Sequence, residues 1–286
     1  MPVVSEQEFL ERLADVVKKL AGIANTQSYR FKKIWDDYFG VLNTKPHIVR
    51  SVKVDKERFL QDINYRINVL KTLNNALIDG YYSIQSILKA FYGEYINSDL
   101  FKRDFSPEDQ IILKYLVARK ILGDLVQYNK MDHETVPLKY NIIAREYLMI
   151  KMNGISLEDV AISLSKLNKN IARESLIKIM EEIEKDGIIN IEKRGDDDYF
   201  YTLNKPLELS KEGEIKYNET LRPLVDWPTQ FWRSFYNIRE LNFTTKECKF
   251  NDQLCKILSK SATQGFGPAH YVFKNLITYF EKIKNS

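Results

Sequence analysis

Residues 156–203, SLEDVAISLSKLNKNIARESLIKIMEEIEKDGIINIEKRGDDDYFYTL, change the grammar of the chain and decide its fold. Ser156-Leu157-Glu158-Asp159 reads as a helix cap, and Leu157, Val160, Ala161 and Leu164 share the apolar face of the short helix behind it. A polar turn, Asn168-Lys169-Asn170, leads into a longer helix over 171–184 that Gly187 ends. With helical spacing, Ala172, Leu176, Ile179, Met180 and Ile183 fall on one face and are expected to pack inward. The opposite face carries Asn170, Glu174, Lys178, Glu181 and Lys185, flanked by Arg173. Two extended segments follow, 188–193 and 199–203, joined by Arg194-Gly195-Asp196-Asp197-Asp198. Ile189 and Ile191 alternate on one, Phe200 and Thr202 on the other, which suits a hairpin. Upstream, Thr135-Val136-Pro137 opens a helix through Ile142, Ala144, Leu148 and Met149 that stops at Gly154.

Helix, short helix, turn, longer helix and hairpin, in that order, resemble the winged helix-turn-helix of archaeal and bacterial transcription regulators. The resemblance spans about residues 135–213. Its words are Ser156-Leu157-Glu158-Asp159-Val160-Ala161, the helix over 171–184, Lys185-Asp186-Gly187-Ile188-Ile189, and Tyr201-Thr202-Leu203 followed by Leu209-Ser210-Lys211-Glu212-Gly213. It implies a transcriptional regulator that reads double-stranded DNA. Asn170 would meet an adenine edge, Arg173 a guanine or a phosphate, and Glu174 a cytosine amine, with Asn168 and Lys178 beside them. Lys166, Lys169, Lys193 and Arg194 would reach the phosphate backbone. Readers of this type are commonly two-fold dimers, here expected through the C-terminal helices.

Outward from this module the fold class is mostly α, in three segments: a helical domain over 1–130, the winged helix domain over 131–207 and a C-terminal helical region over 208–286. Apolar spacing predicts helices over 5–40, over 55–79 ending at Gly80, over 82–95, and from Ser106-Pro107-Glu108-Asp109 to Leu122. Beyond the module, further helices are expected over 212–223, from Pro228 to Leu241, and from Pro268 to Ile283. Trp227 and Trp232 fit core or dimer-interface packing better than a ligand pocket.

The 286 residues carry a net charge of +4, unevenly spread. Residues 131–207 hold 11 basic against 14 acidic side chains, net −3, so the segment resembling a DNA reader is the acidic one. That balance opposes phosphate attraction. It favours a second reading from another class: a winged-helix scaffold or protein-interaction subunit of a larger complex, similar in plan to ESCRT-II-like, PCI-type or polymerase-associated subunits. A third reading places single-strand binding on the basic stretch 30–58, where Trp35, Tyr38 and Phe39 interleave with lysine and arginine; helix packing is the simpler account of those rings.

No run approaches the apolar length of a membrane span. The start, MPVVSEQEFLERLADVV, is acidic where a signal peptide is basic, so a cytoplasmic chain is expected. Cys248 and Cys255 are too few for a disulfide framework, and His47, His133 and His270 lie far from them. Catalytic residues, metal and cofactor are all expected to be none. Thr263-Gln264-Gly265-Phe266-Gly267-Pro268 lacks the spacing of a phosphate loop, and no nucleophile–base set stands out.

Overall fold

A computed structural model describes residues 5–123, 135–165, 171–195, 198–235, 251, 254 and 268–285. The chain is mostly helical, in the order α1 (Glu6–Phe39), α2 (Lys56–Gln61), α3 (Ile63–Gly93), α4 (Asp99–Asp104), α5 (Pro107–Gly123), α6 (Leu138–Asn153), β1 (Ile155–Ser156), α7 (Leu157–Ser165), α8 (Arg173–Lys185), β2 (Ile189–Lys193), β3 (Tyr199–Leu203), α9 (Lys211–Glu219), α10 (Arg222–Phe235) and α11 (Pro268–Asn285). No helix among the described residues is long and apolar enough to cross a membrane. Packing divides the chain into two compact units, 1–37 with 46–84 and 227–286, and 38–45 with 85–226. Neither unit is continuous in sequence.

In the first unit α1 buries Phe9, Leu13, Val17, Leu20, Ala24 and Phe31, the stripe that helical periodicity demands. Phe31 stacks on Trp227 with ring centroids 4.4 Å apart, and the Trp227 Nε1–H donates to the Gln27 carbonyl at 3.3 Å. Trp227 and Trp232 are core rings. So is Trp35, at 2% exposure, and Phe39, which belongs to the second unit, is 1% exposed; neither ring offers the stacking platform that single-strand binding would need. α11 adds Phe273, Leu276 and Phe280, all buried, so its apolar face is consumed within this unit.

The link after α1 runs extended without a strand partner, and side chains do the pinning instead. Asn25 exchanges hydrogen bonds with the Val52 backbone at 2.9 Å in both directions, and the Ser28 hydroxyl donates to the Val49 carbonyl at 2.7 Å. The buried Asp79 carboxylate accepts from the Arg50 backbone N–H, the Arg50 guanidinium and His47.

Two expected breaks fall elsewhere. The helix expected over 55–79 divides at Asp62, whose backbone caps the end of α2 and whose carboxylate accepts from Asn64 N and Tyr65 N at the start of α3. Gly80 does not stop the chain: α3 runs through it to Gly93. The glycine is there for space, because a Cβ at Gly80 would lie 2.0 Å from the Phe231 ring. Likewise Pro228 lies inside α10, which begins six residues earlier at Arg222; residues 236–241, expected to extend it, are outside the described residues.

In the second unit the helix opened by Ser106 and Pro107 forms as expected, with Ser106 Oγ accepting from Asp109 N at 3.1 Å. α6 ends at Gly154, whose φ of +71° lies in the left-handed region that favours glycine. Then comes β1, which the sequence reading did not anticipate. It pairs antiparallel with β3 (Ile155 with Tyr201, Ser156 with Phe200), and β2 lies on the other edge of β3. The strand order is β1-β3-β2.

Candidate nucleic-acid interface

α7 starts where Ser156 and Asp159 cap each other: Ser156 N and Oγ donate to Asp159 Oδ2 at 3.2 and 2.7 Å, and Asp159 N returns a bond to Ser156 Oγ at 3.1 Å. These bonds hold the Asp159 carboxyl below its ordinary pKa. α8 begins later than the periodicity suggests. Ala172 takes the N-cap position with no side-chain cap and is exposed, so it does not join the inward face. That face is Leu176, Met180 and Ile183, all buried, with Ile179 half-buried.

The far end of α8 closes by a glycine cap. Gly187, at φ +74°, donates to the Glu184 carbonyl at 2.7 Å, and Ile188 donates to the Ile183 carbonyl at 3.2 Å, burying both isoleucines. Asp186 fixes this end to its neighbours. Its carboxylate accepts from the Tyr115 hydroxyl of α5 at 2.6 Å and from Lys139 Nζ of α6 at 2.9 Å. Burial, joined by the bond to Asp186, raises the Tyr115 pKa. Burial would lower that of Lys139, but Asp186 holds it above its usual value. The direction of α8 is therefore set by both helices behind it.

The hairpin forms, and its register decides which residues face inward. Ile189 faces Leu203 and Ile191 faces Tyr201, so Tyr201, fully buried, is the inward ring rather than Phe200 or Thr202, which are half-buried. The Tyr201 hydroxyl is buried and makes no hydrogen bond among the described residues. Burial raises its pKa, so it stays a neutral phenol. Tyr201→Phe removes a desolvated hydroxyl without breaking a bond. The expected result is an unchanged or higher unfolding midpoint, by up to ~1 kcal/mol in urea denaturation; a loss above that would mean that the hydroxyl has a partner.

The described candidates divide into two groups. Arg173, Glu174 and Lys178 occupy the first two turns of α8 and are exposed, with Glu181 and Lys185 exposed further along. Lys193 and Arg194 lie at the end of β2, also exposed. A cleft of about 410 Å³ lies between the groups, lined by Ser156, Glu158, Arg173, Asp198 and Tyr199 among others. Lys166, Asn168, Lys169 and Asn170 lie outside the described residues. Among the described residues no group of three histidine, cysteine or carboxylate side chains is placed to hold a metal ion.

The site residues that sequence reasoning missed are supports. Asp186, Lys139 and Tyr115 are ordinary polar words separated by up to 71 residues, and nothing local signals that they meet. Tyr201 could have been found by strand pairing, since partners across an antiparallel ladder share a face. No family model, curated protein or solved structure matches this chain.

Proposed function

We propose that residues 138–203 form a winged helix that binds duplex DNA through the first turns of α8. One observation carries the reading: helix–strand–helix–helix–hairpin with strand order β1-β3-β2, and the polar leading side chains of the last helix turned outward. In a helix-turn-helix, those leading residues are the ones that enter the major groove. Arg173 would take a guanine edge or a phosphate, Glu174 a cytosine amine, and Lys178 a phosphate. The role would be transcriptional regulation.

The test is a gel-shift series on genomic fragments across salt concentrations. Binding that weakens with salt, and falls about tenfold when Arg173 is changed to Ala, supports the proposal; a lost charge-assisted base or phosphate contact removes ~1–3 kcal/mol. No shift at low salt would sink it.

A second reading, a protein-interaction module within a larger complex, is favoured by a different observation. Leu148, Met149 and Met152 stand exposed along α6, at 55%, 51% and 75%, and residues 131–207 carry a net charge of −3, which opposes phosphate attraction. Stoichiometric co-purification of a protein without nucleic acid would decide for it.

A further inference from the structure

We propose that the middle of α1, with the link that runs beside it, grips the phosphate backbone of duplex nucleic acid without reading its bases. This face lies in the first unit and stands independently of the α8 reading. Residues 16–35 hold Lys18, Lys19, Arg30, Lys32 and Lys33 and no carboxylate. The link over 46–54 is free of acids as well and adds Arg50 and Lys53. The bonds from Asn25 to Val52 and from Ser28 to Val49 lay that link along α1, so two acid-free segments run side by side.

Lys18, Gly22, Thr26, Tyr29 and Lys33 recur at helical spacing, and all five are exposed. At 1.5 Å per residue this row is ~22 Å long. Its centre is low: a Cβ on Gly22 would meet nothing within 4 Å, and the Thr26 hydroxyl turns back to donate to the Gly22 carbonyl at 2.9 Å. Exposed Arg30 flanks the row, and exposed Lys53 directly follows the pinned Val52. Some of the charge here is already spent. Lys32 pairs with Asp36, Arg50 with the buried Asp79, and Asp15, which borders the stretch, with Lys56. Lys18, Arg30, Lys33 and Lys53 make no ion pair or hydrogen bond among the described residues. Asp37, one turn past Lys33, offsets one of these four and leaves three charges for a polyanion.

The chemistry of the face selects the partner. A helix that lies on lipid needs an apolar face, and a protein partner needs an apolar centre to bury. Tyr29 is the one large apolar side chain exposed on α1 among the described residues. A single ring also falls short of the successive rings on which a single strand stacks. Duplex needs neither: it offers one negative charge per ~1.7 Å of its axis, on the order of a dozen along the row.

The experiment uses the full chain and a labelled 24-base-pair duplex pool of random sequence, read by fluorescence anisotropy at several salt concentrations. K18Q/R30Q/K33Q/K53Q is expected to lower affinity at least tenfold and to flatten the slope of log K against log salt by about 3, since each neutralised phosphate contributes ~0.9. K89Q/K120Q/K211Q/K282Q removes the same charge from other exposed lysines and should stay within twofold. G22E places an acid in the open centre of the row, keeps every cation and should cost at least fivefold; it carries the test should the quadruple variant not fold, because glutamate favours a helix more than glycine does. An unchanged K18Q/R30Q/K33Q/K53Q variant alongside a weakened R173A overturns this inference and leaves the α8 reading standing. An unchanged R173A alongside a weakened quadruple variant supports the α1 face alone. An equal loss in the control variant, tighter binding to a 24-base single strand than to the duplex, or binding to phosphatidylserine vesicles without duplex binding at 25 mM salt each overturns the inference.

Discussion

Asp109→Ala is expected to destabilise the second unit by about 3 kcal/mol, enough to shift a urea midpoint by more than 1 M. Asp109 is 3% exposed, and its carboxylate accepts from the Ser106 hydroxyl at 2.8 Å, from the Ser210 backbone N–H at 2.8 Å and from the Ser210 hydroxyl at 2.7 Å. Ser106 caps α5 and Ser210 caps α9, where it accepts from Gly213 N at 3.0 Å. One buried carboxylate therefore serves two helix N-termini, whose dipoles both favour its charge. In a local capping box the third residue of a helix reaches back to the N-cap amide. Here α9 has glycine at that position, and Asp109 reaches the amide from another helix. A Cβ on Gly213 would fall 2.6 Å from the Asp109 carboxyl carbon.

Three consequences separate this account from generic core damage. Gly213→Ala should also destabilise, by about 1–3 kcal/mol, because the added methyl overpacks against a fixed group. Combining it with Asp109→Ala should cost less than the sum of the two, since the small residue vacates the space the methyl needs. The pH dependence has a definite sign. Burial opposes the Asp109 charge, but the bonds from Ser210 and Ser106 hold its pKa below the ordinary 3.8. A depressed folded-state pKa gives stability that is complete above the unfolded pKa and is lost as pH falls through the folded one. The gap between wild type and Asp109→Asn should therefore be full near neutral pH and narrow below pH ~4. A gap independent of pH would mean that the charge contributes nothing.

What the sequence revealed, and what it hid, follows from range. Ser106-Pro107-Glu108-Asp109 announced the start of α5 because an N-cap, a proline and first-turn acids act on their own helix. Gly154 and Gly187 announced helix ends because positive φ is a local requirement, and both adopt it. β1 escaped notice since two residues leave no periodicity to read, and only its pairing with β3 makes it a strand. The inward face of α8 was legible in Leu176, Met180 and Ile183; its first residue was not, because Ala172 carries no capping group to mark it. The candidate interface was visible as a polar face with Arg173, Glu174 and Lys178, whereas the contacts of Arg194 with Glu192 and the Phe200 ring needed strand register. Least legible was the grouping of chain ends: α11 and most of α10 join α1 in one unit, and contacts across some two hundred residues leave no trace in spacing.

The same limit governs Gly80, where a sequence rule and the fold disagree and a substitution tells them apart. Read locally, a glycine inside a helix costs about 1 kcal/mol relative to alanine, so Gly80→Ala should stabilise α3. Packing requires the opposite. The added Cβ would lie 2.0 and 2.2 Å from two atoms of the Phe231 ring, and that ring is fully buried, with Trp227 stacked on it at 4.9 Å. A fully buried ring stacked on Trp227 cannot yield cheaply, so the overpacking loss of ~1–3 kcal/mol should exceed the propensity gain. Gly80→Ala is expected to lower stability by about 2 kcal/mol, and Gly80→Leu by more, as measured in urea denaturation. Phe231→Leu alone should also destabilise, by leaving a void between α3 and α10. The pair Gly80→Ala with Phe231→Leu should then be closer to wild type than the two losses summed, because the methyl fills part of the space the ring leaves. If Gly80→Ala proved stabilising on its own, helix propensity would outweigh packing at this position, and the contact between α3 and α10 would have to be looser than 2 Å demands.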